Sequence, residues 1–504
     1  MHITGAPACF RMAAGGCSAG RHSRAPTGHR PPTVHGTQSP LWPVSLRDPG
    51  LSEVNRSMSE TSSDAAAVGT ATPPAPPPAA DENVSRVAVA SLVGTTIEYY
   101  DFAVYGTAAA LVLGPAFFPS GSSTVSTLAA FLTFAAAFLA RPVGVVLFGT
   151  IGDRLGRKRA LVTSLVLMGI ATVGVGLLPT YETVGILAPV LLVALRLLQG
   201  VSMGGEWGGA VLLAAEHAPP GRRAVYASIP QIGALLGFLL SSAVILPTIA
   251  VAGRDGFADG AWRVPFLLST LLIVVGFWVR TRVSESPVFS GRSEADRPAA
   301  PRFPLGALVK EYPGQLLLGI GAAAGGSAVY YLTIVYSLSY GPKALGIAQN
   351  TMLAAASVAA GVTAAAVIPV ARLADKVGRR PVIMAGAIGC AVWALPMFGS
   401  LSTGNGLVIT GAFTVGLVLF ILMFAPIAAF LPELFPARLR YTGASATFIL
   451  ANTLGGGFAP LVATWLNSQW KSPLVLGVYA GGLCLISLLC VLALPETRDR
   501  DFAA

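Results

Sequence analysis

GTIGDRLGRKR at residues 149–159 and ARLADKVGRR at residues 371–380 are two copies of one pattern. Each runs from a small residue (Gly149, Ala371) across three positions to an acid (Asp153, Asp375) and a base (Arg154, Lys376). One apolar residue, a glycine (Gly156, Gly378) and two bases follow (Arg157 and Lys158, Arg379 and Arg380). The two aspartates are 222 positions apart, and each copy reads as a short polar loop between long apolar stretches. A second pair supports nearly the same period, 217 positions apart: AAEHAPPGRRAVYAS at 214–228 against LPELFPARLRYTGAS at 431–445. Both set a glutamate (Glu216, Glu433) ahead of Pro and two arginines (Arg222 and Arg223, Arg438 and Arg440). Duplicated hydrophobic halves flanking a midplane site are a plan shared by many secondary carriers.

Composition narrows the class further. Of 504 residues 54% are hydrophobic and 11% charged, with a mean hydropathy of +0.68. Soluble domains carry about 25% charged residues, so a soluble multi-domain enzyme is disfavoured. The net charge of +10 would suit nucleic acid only if the bases formed one patch. Instead Arg154, Arg157, Arg222, Arg372, Arg379, Arg438 and Arg498 fall in alternate loops on one side. The opposite loops hold only Arg254, Arg263, Lys343 and Lys471. That asymmetry predicts a multi-pass protein of the cell membrane with both termini cytoplasmic and no nucleic-acid partner. Cysteines without metal or disulfide spacing, and His217 as the lone histidine after the first 35 residues, predict no metal and no cofactor.

Residues 1–82, rich in Pro, Ser, Ala, Gly and Arg, cannot bury enough apolar surface and read as a disordered cytoplasmic tail. Met58 offers a more natural start that would leave residues 1–57 untranslated. From residue 87 twelve apolar segments are long enough to cross roughly 30 Å of hydrocarbon. They fall at 87–113, 127–149, 160–178, 185–213, 224–250 and 263–281, then at 314–338, 349–371, 381–400, 407–430, 441–466 and 473–494. The expected fold class is an all-α membrane protein of twelve transmembrane helices in two pseudo-symmetric six-helix bundles. The bundles would occupy 83–282 and 313–495, joined by a cytoplasmic linker at 283–312 and followed by a cytoplasmic tail at 496–504.

The twelve spans and the doubled DRLGRK and DKVGRR patterns resemble the major facilitator superfamily. Within it, GTTIEYYDFAVYG (94–106), FLARPVGVVLFGTIGDRLGRK (138–158), RLLQGVSMGGEWGGA (196–210) and PELFPARLRYTG (432–443) are similar to the metabolite:proton symporter family. The resemblance covers about residues 85–495. It implies import of proline, betaines, shikimate, citrate, oxoglutarate or a similar compound, typically with protons.

A charge at mid-bilayer costs at least about 2.5–3.5 kcal/mol, so each one needs a reason. The first half carries five candidates, Glu98, Asp101, Arg141, Arg196 and Glu206; the span interiors of the second half carry none. At 1.5 Å per residue, Asp101 lies roughly 20 Å from the cytoplasmic end of the first span and Arg196 roughly 15 Å from the outer end of the fourth. Near one depth, the two would pair, either as a permanent ion pair or as a proton-coupling site whose carboxylate alternates between a basic partner and an apolar cavity. The resemblance favours coupling, with Glu98 in reserve. Arg141, followed by Pro142, suits either a bidentate grip on a substrate carboxylate or a helix-locking pair with Glu206 or Glu98. Tyr105, which shares a helix face with Glu98 and Asp101, and Glu206 are further candidates for substrate contact. Tyr336 on the seventh span, and more weakly Asn452 on the eleventh, offer polar contacts to a small solute or plain packing.

For the repeated pattern the expectation is an intracellular gate. Gly149, Asp153, Arg154, Gly156, Arg157, Asp375, Lys376, Gly378, Arg379 and Arg380 would hold the halves closed on the inner side, joined by Glu216, Glu433 and Arg438. The sequence thus predicts a monomeric carrier in the lipid bilayer that imports a small organic acid or zwitterion with protons by alternating access. Alternatives are a proton-independent facilitator of the same fold, or an integral membrane enzyme, which the absence of a nucleophile, His cluster or metal set disfavours.

Overall fold

In the computed structural model, residues 79–120, 122–155, 157–204, 206–216, 218–282 and 304–500 are described, without the side chains at 79–87, 149–150, 152–155, 157–158, 160, 254, 280, 282 and 304. Twelve spans follow one another: α1 (79–117), α2 (Ser123–Leu155), α3 (Arg157–Leu177), α4 (Leu187–Glu216), α5 (Arg223–Gly256) and α6 (Arg263–Arg282). The second half supplies α7 (Pro313–Leu345), α8 (Gln349–Val377), α9 (Arg379–Thr403), α10 (Gly406–Glu433), α11 (Arg440–Trp470) and α12 (Leu474–Ala493). Hydrocarbon offers no partner to a backbone N–H or C=O, so an apolar run of this length closes its own hydrogen bonds as helix. Nine of the described helices are long and apolar enough to cross a membrane outright. α3 and α6 carry shorter apolar runs, and α1 holds Glu98 and Asp101 in its middle. Local signals set the ends: Pro313 opens α7, and Asn405 accepts the Leu407 N–H (2.9 Å) to cap α10.

The repeated pattern is not a loop. α2 runs through Asp153 to Leu155 and α8 through Asp375 to Val377, and α3 and α9 restart two residues later. Gly378, at φ +117°, makes the turn between α8 and α9 in a conformation that side-chain-bearing residues avoid.

A second repetition appears only in three dimensions. π-helical turns interrupt the first and seventh spans at Ala109–Leu113 and Leu332–Tyr336, 223 positions apart. That spacing matches the repeated pattern to within one residue, and such turns commonly accompany functional sites.

The halves meet where α5 packs on α8 and α10, α2 on α11, and the last part of α4 (Glu206–Glu216) on α11. The expected linker contains a helix at Pro304–Glu311, whose Leu308 is buried. The expected tail beyond 496 is not loose as far as Arg500, because its side chains bond to the ends of α8, α9 and α10. Residues 1–78 and 283–303, together with Gly156, lie outside the described residues, as do the side chains of Asp153, Arg154 and Arg157.

Candidate functional site

All five membrane charges of the first half turn inward: Asp101 and Arg196 are fully buried, and Glu98, Arg141 and Glu206 are at most 4% exposed. The expected direct pair of Asp101 and Arg196 does not form. Thr172 of α3 donates to Asp101 Oδ2 (2.9 Å), Gln199 Nε2 donates to Thr172 Oγ1 (2.5 Å), and Arg196 Nη1 donates to Gln199 Oε1 (2.5 Å). The guanidinium of Arg196 lies 3.7 Å from the Tyr105 ring centroid and 4.9 Å from that of Phe102. Aromatic faces thus supply much of what a carboxylate would have given it. Arg196 Nε and Nη2 and Asp101 Oδ1 have no hydrogen-bond partner among the described residues.

Arg141, whose carbonyl lies in the close α2–α4 contact at Gly204, sits over Phe138 (4.1 Å) and Phe102 (4.6 Å), with one nitrogen 3.8 Å from Met203 Sδ. It forms no ion pair with a described residue, so the expected lock onto Glu206 or Glu98 is absent there. Glu98, Arg141, Tyr99 and Tyr331 nevertheless fall within one electrostatic neighbourhood. Between the halves at that level Tyr99, Ser327, Tyr330, Tyr331, Phe420 and Asn452 line a cavity of about 10 Å³. That is room for hardly one water molecule.

The other predicted contacts are scattered. Tyr105 donates to Thr133 Oγ1 (2.5 Å), whose own hydrogen goes to Ala130 O (2.7 Å), so its hydroxyl is already engaged. Tyr336 lines a separate 160 Å³ cavity at the far end, with Tyr340, Lys343 and Asn467. Asn452 donates to Phe448 O of its own helix (3.0 Å) while facing the central cavity. Glu206 opens the last stretch of α4, beside Trp207, which stacks on Phe448 of α11 at 3.6 Å and donates to Gln231 Oε1 (3.1 Å).

At the face bearing the repeated pattern, Asp375 reaches across to the other half. Its two oxygens accept the Ala224 N–H (2.9 Å) and the Val225 N–H (3.1 Å), capping the start of α5. Arg379 pairs with Asp375 (3.0 Å) and Glu433 (3.4 Å), and Arg223 of the first half pairs with Glu433 (3.1 Å). Glu433 also accepts the Thr497 hydroxyl (2.6 Å). Arg380 donates to the carbonyls of Val491 and Leu492 at the end of α12, and Arg498 donates to Lys376 O (2.7 Å). Arg438 pairs instead with Glu311 of the short helix, and Glu216 lies at the exposed end of α4. Beside this network a cleft of about 860 Å³ is lined by Arg222, Tyr226, Arg372, Asp375 and Lys376.

Thr172 and Gln199, which bridge the central charges, were not among the residues singled out from sequence. Gln199 stands three positions after Arg196, close enough on a helix to share its face. Thr172 is a lone hydroxyl in an apolar run and gives no such signal. Tyr99 lines the central cavity, whereas Tyr100 donates to Pro265 O (2.8 Å) and fastens α1 to α6.

The profile of the Major Facilitator Superfamily matches residues 91–460. The chain is 41% identical over 426 residues to the inner membrane metabolite transport protein YhjE of Escherichia coli (strain K12), covering 83% of this chain and 95% of that one. It is 35% identical to the shikimate transporter of the same organism (82% and 95% covered) and 31% identical to its proline/betaine transporter (83% and 85%). In three dimensions it matches the proton:xylose symporter XylE with a TM-score of 0.65 at 20% identity, over 82% of this chain and 97% of that one. With a profile match over most of its length and relatives above 30% identity over more than four fifths of it, the chain is a membrane transporter, not an enzyme, and belongs to the major facilitator superfamily.

Proposed function

We propose that this chain imports a small organic acid or zwitterionic metabolite together with protons, by alternating access between its two six-helix bundles. The observation that carries the reading is Asp101: a fully buried carboxyl in the middle of α1, with Oδ1 unpartnered among the described residues and Oδ2 linked to a cation. A buried ionised acid is costly unless it is fully paired or takes up a proton, and Asp101 is only partly paired. In this reading Asp101 takes a proton from the outer side. Substrate then binds in the chamber bounded by Tyr99, Tyr330, Tyr331 and Asn452, its carboxylate drawn to Arg141. The loaded carrier rocks, and the proton leaves inward.

The face bearing Asp375 and Glu433 is read as cytoplasmic, which puts both termini inside, and its cross-bundle bonds are read as the inner gate. A central space of about 10 Å³ between two larger clefts supports an occluded stage of the cycle. Substrate passage requires that space to widen and the Asp375 and Glu433 contacts to part. The names of the relatives support the chemical class of the cargo, and each bundle pair is taken to work as a monomer.

The test is uptake into proteoliposomes with an imposed pH gradient, using labelled shikimate, proline and glycine betaine as probes. Wild-type protein accumulates at least one probe when the outside is acid. Asp101→Asn loses that accumulation yet still exchanges labelled for unlabelled probe. Accumulation unchanged in the variant removes Asp101 from the coupling role. Uptake indifferent to the gradient in the wild type makes the chain a facilitator.

A further inference from the structure

The three hydrogen bonds between Arg196 and Asp101 all point one way. Each donor lies on the guanidinium side and each acceptor on the carboxylate side, from Arg196 Nη1 through Gln199 and Thr172 to Asp101 Oδ2. All four side chains are at most 1% exposed. The middle link has a choice of partner. Thr172 has one hydroxyl hydrogen but two acceptors in reach, Asp101 Oδ2 at 2.9 Å and Met168 O of its own helix at 3.0 Å. An ionised carboxylate outcompetes a peptide carbonyl for that hydrogen, and a protonated carboxyl does not. Asp101 Oδ1 meanwhile is buried with no partner among the described residues, so a proton gained by Asp101 can form its O–H bond there without displacing another bond.

We propose that Thr172 and Gln199 are positioning residues of the coupling site. The Thr172 hydroxyl turns between Asp101 and the Met168 carbonyl as Asp101 loses or gains its proton, and Gln199 passes that change to the Arg196 guanidinium. The inference rests on the reading of Asp101 as the coupling group. Two neutral side chains suit this better than a direct ion pair, because hydrogen-bond chains polarise one another and can switch without separating buried charges.

The charged surroundings are few. Glu98 and Tyr100 lie on the same helix as Asp101, and Arg196 faces it from α4. Tyr105 of α1, Arg141 of α2 and Tyr331 of α7 act in turn on Arg196. α3, α5 and α6 carry titratable side chains only near their ends.

The experiment is an infrared titration of the purified protein in lipid, following the carbonyl stretch of protonated buried carboxyl groups against pH. Asp101→Asn identifies the Asp101 band. Thr172→Val removes a donor that favours the ionised form, so the midpoint of that band rises by about one pH unit, the scale of one hydrogen bond to a charge. Gln199→Leu raises it by less, and Thr172→Ser restores the wild-type midpoint. A midpoint unmoved in both Thr172→Val and Gln199→Leu, with the Asp101 band present, overturns the bridge alone. Absence of any band removed by Asp101→Asn overturns the coupling role of Asp101 as well. If Thr172→Val does not fold, Thr172→Ala carries the same comparison.

Discussion

Along the seam between α2 and α4 a methyl group has nowhere to go. A Cβ on Gly144 would fall on the carbonyl oxygen of Val201, one on Gly200 on that of Ala137, and one on Gly204 on that of Arg141. These obstacles are backbone, so no side-chain rotation relieves them and the helices themselves must part. Gly204 thus fixes how closely α4 approaches Arg141, the residue proposed to meet the substrate. Gly204→Ala is expected to destabilise by at least the ~1–3 kcal/mol typical of overpacking, visible as a lower melting temperature in detergent. Gly482, on α12, has no atom within 4 Å of its virtual Cβ, and Gly482→Ala should melt as the wild type does. Equal melting of the two variants would remove the close-packing account.

The start of α9 shows how an element is pinned by a segment 116 residues away. Glu496 accepts the Arg379 N–H and the Arg380 N–H, both at 2.9 Å, and so caps orphan donors of the helix just after the Gly378 turn. Partial burial alone would push its carboxyl up. The N–H groups of Arg379, Arg380, Thr497 and Arg498 outweigh that and hold it below the usual carboxylate range. A carboxyl depressed on folding adds stability above its unfolded value of about 4.3, and that contribution fades as pH falls through the folded value. Glu496→Gln should therefore lower the melting temperature at neutral pH by the equivalent of about 0.5–1 kcal/mol. The difference from wild type should shrink on acidification below about pH 4.3. A deficit independent of pH would assign the effect to packing of the strap and not to the charged cap.

For the whole molecule, the contacts of interest are those that the proposed rocking of the bundles would have to break. Asp375 holds two N–H groups of α5, and Glu433 holds Arg223, so one acid from the second half grips a helix end and another a side chain of the first. A helix N-terminus welcomes negative charge, and this cap doubles as a clasp between bundles. Asp375→Asn weakens two charge-assisted bonds worth about 1.5–3 kcal/mol each, so the open population on that face should rise tenfold or more. Spin labels at Arg222 and Leu373, both exposed, would report it as a longer distance in pulsed electron resonance. An unaltered distance distribution would deny the clasp any part in setting the conformational balance.

Composition and periodicity alone determined the helical membrane class, the duplication, the position of nearly every span and the confinement of intramembrane charge to the first half. These are local properties: an apolar run must be helical in hydrocarbon, and an internal repeat needs no coordinates to be seen. What only the tertiary structure decided is azimuth and reach. An apolar run does not say which of its faces meets which neighbour, so Tyr99 in the central chamber and Tyr100 on α6 read alike in sequence. Nor does depth along a helix distinguish a direct Asp101–Arg196 pair from a bridge through Thr172, 71 residues from Asp101. The clasp of Asp375 on Ala224 spans 151 positions and uses a backbone donor, which no side-chain pattern records. Such contacts follow from how twelve helices pack, and only the packed bundle holds that information.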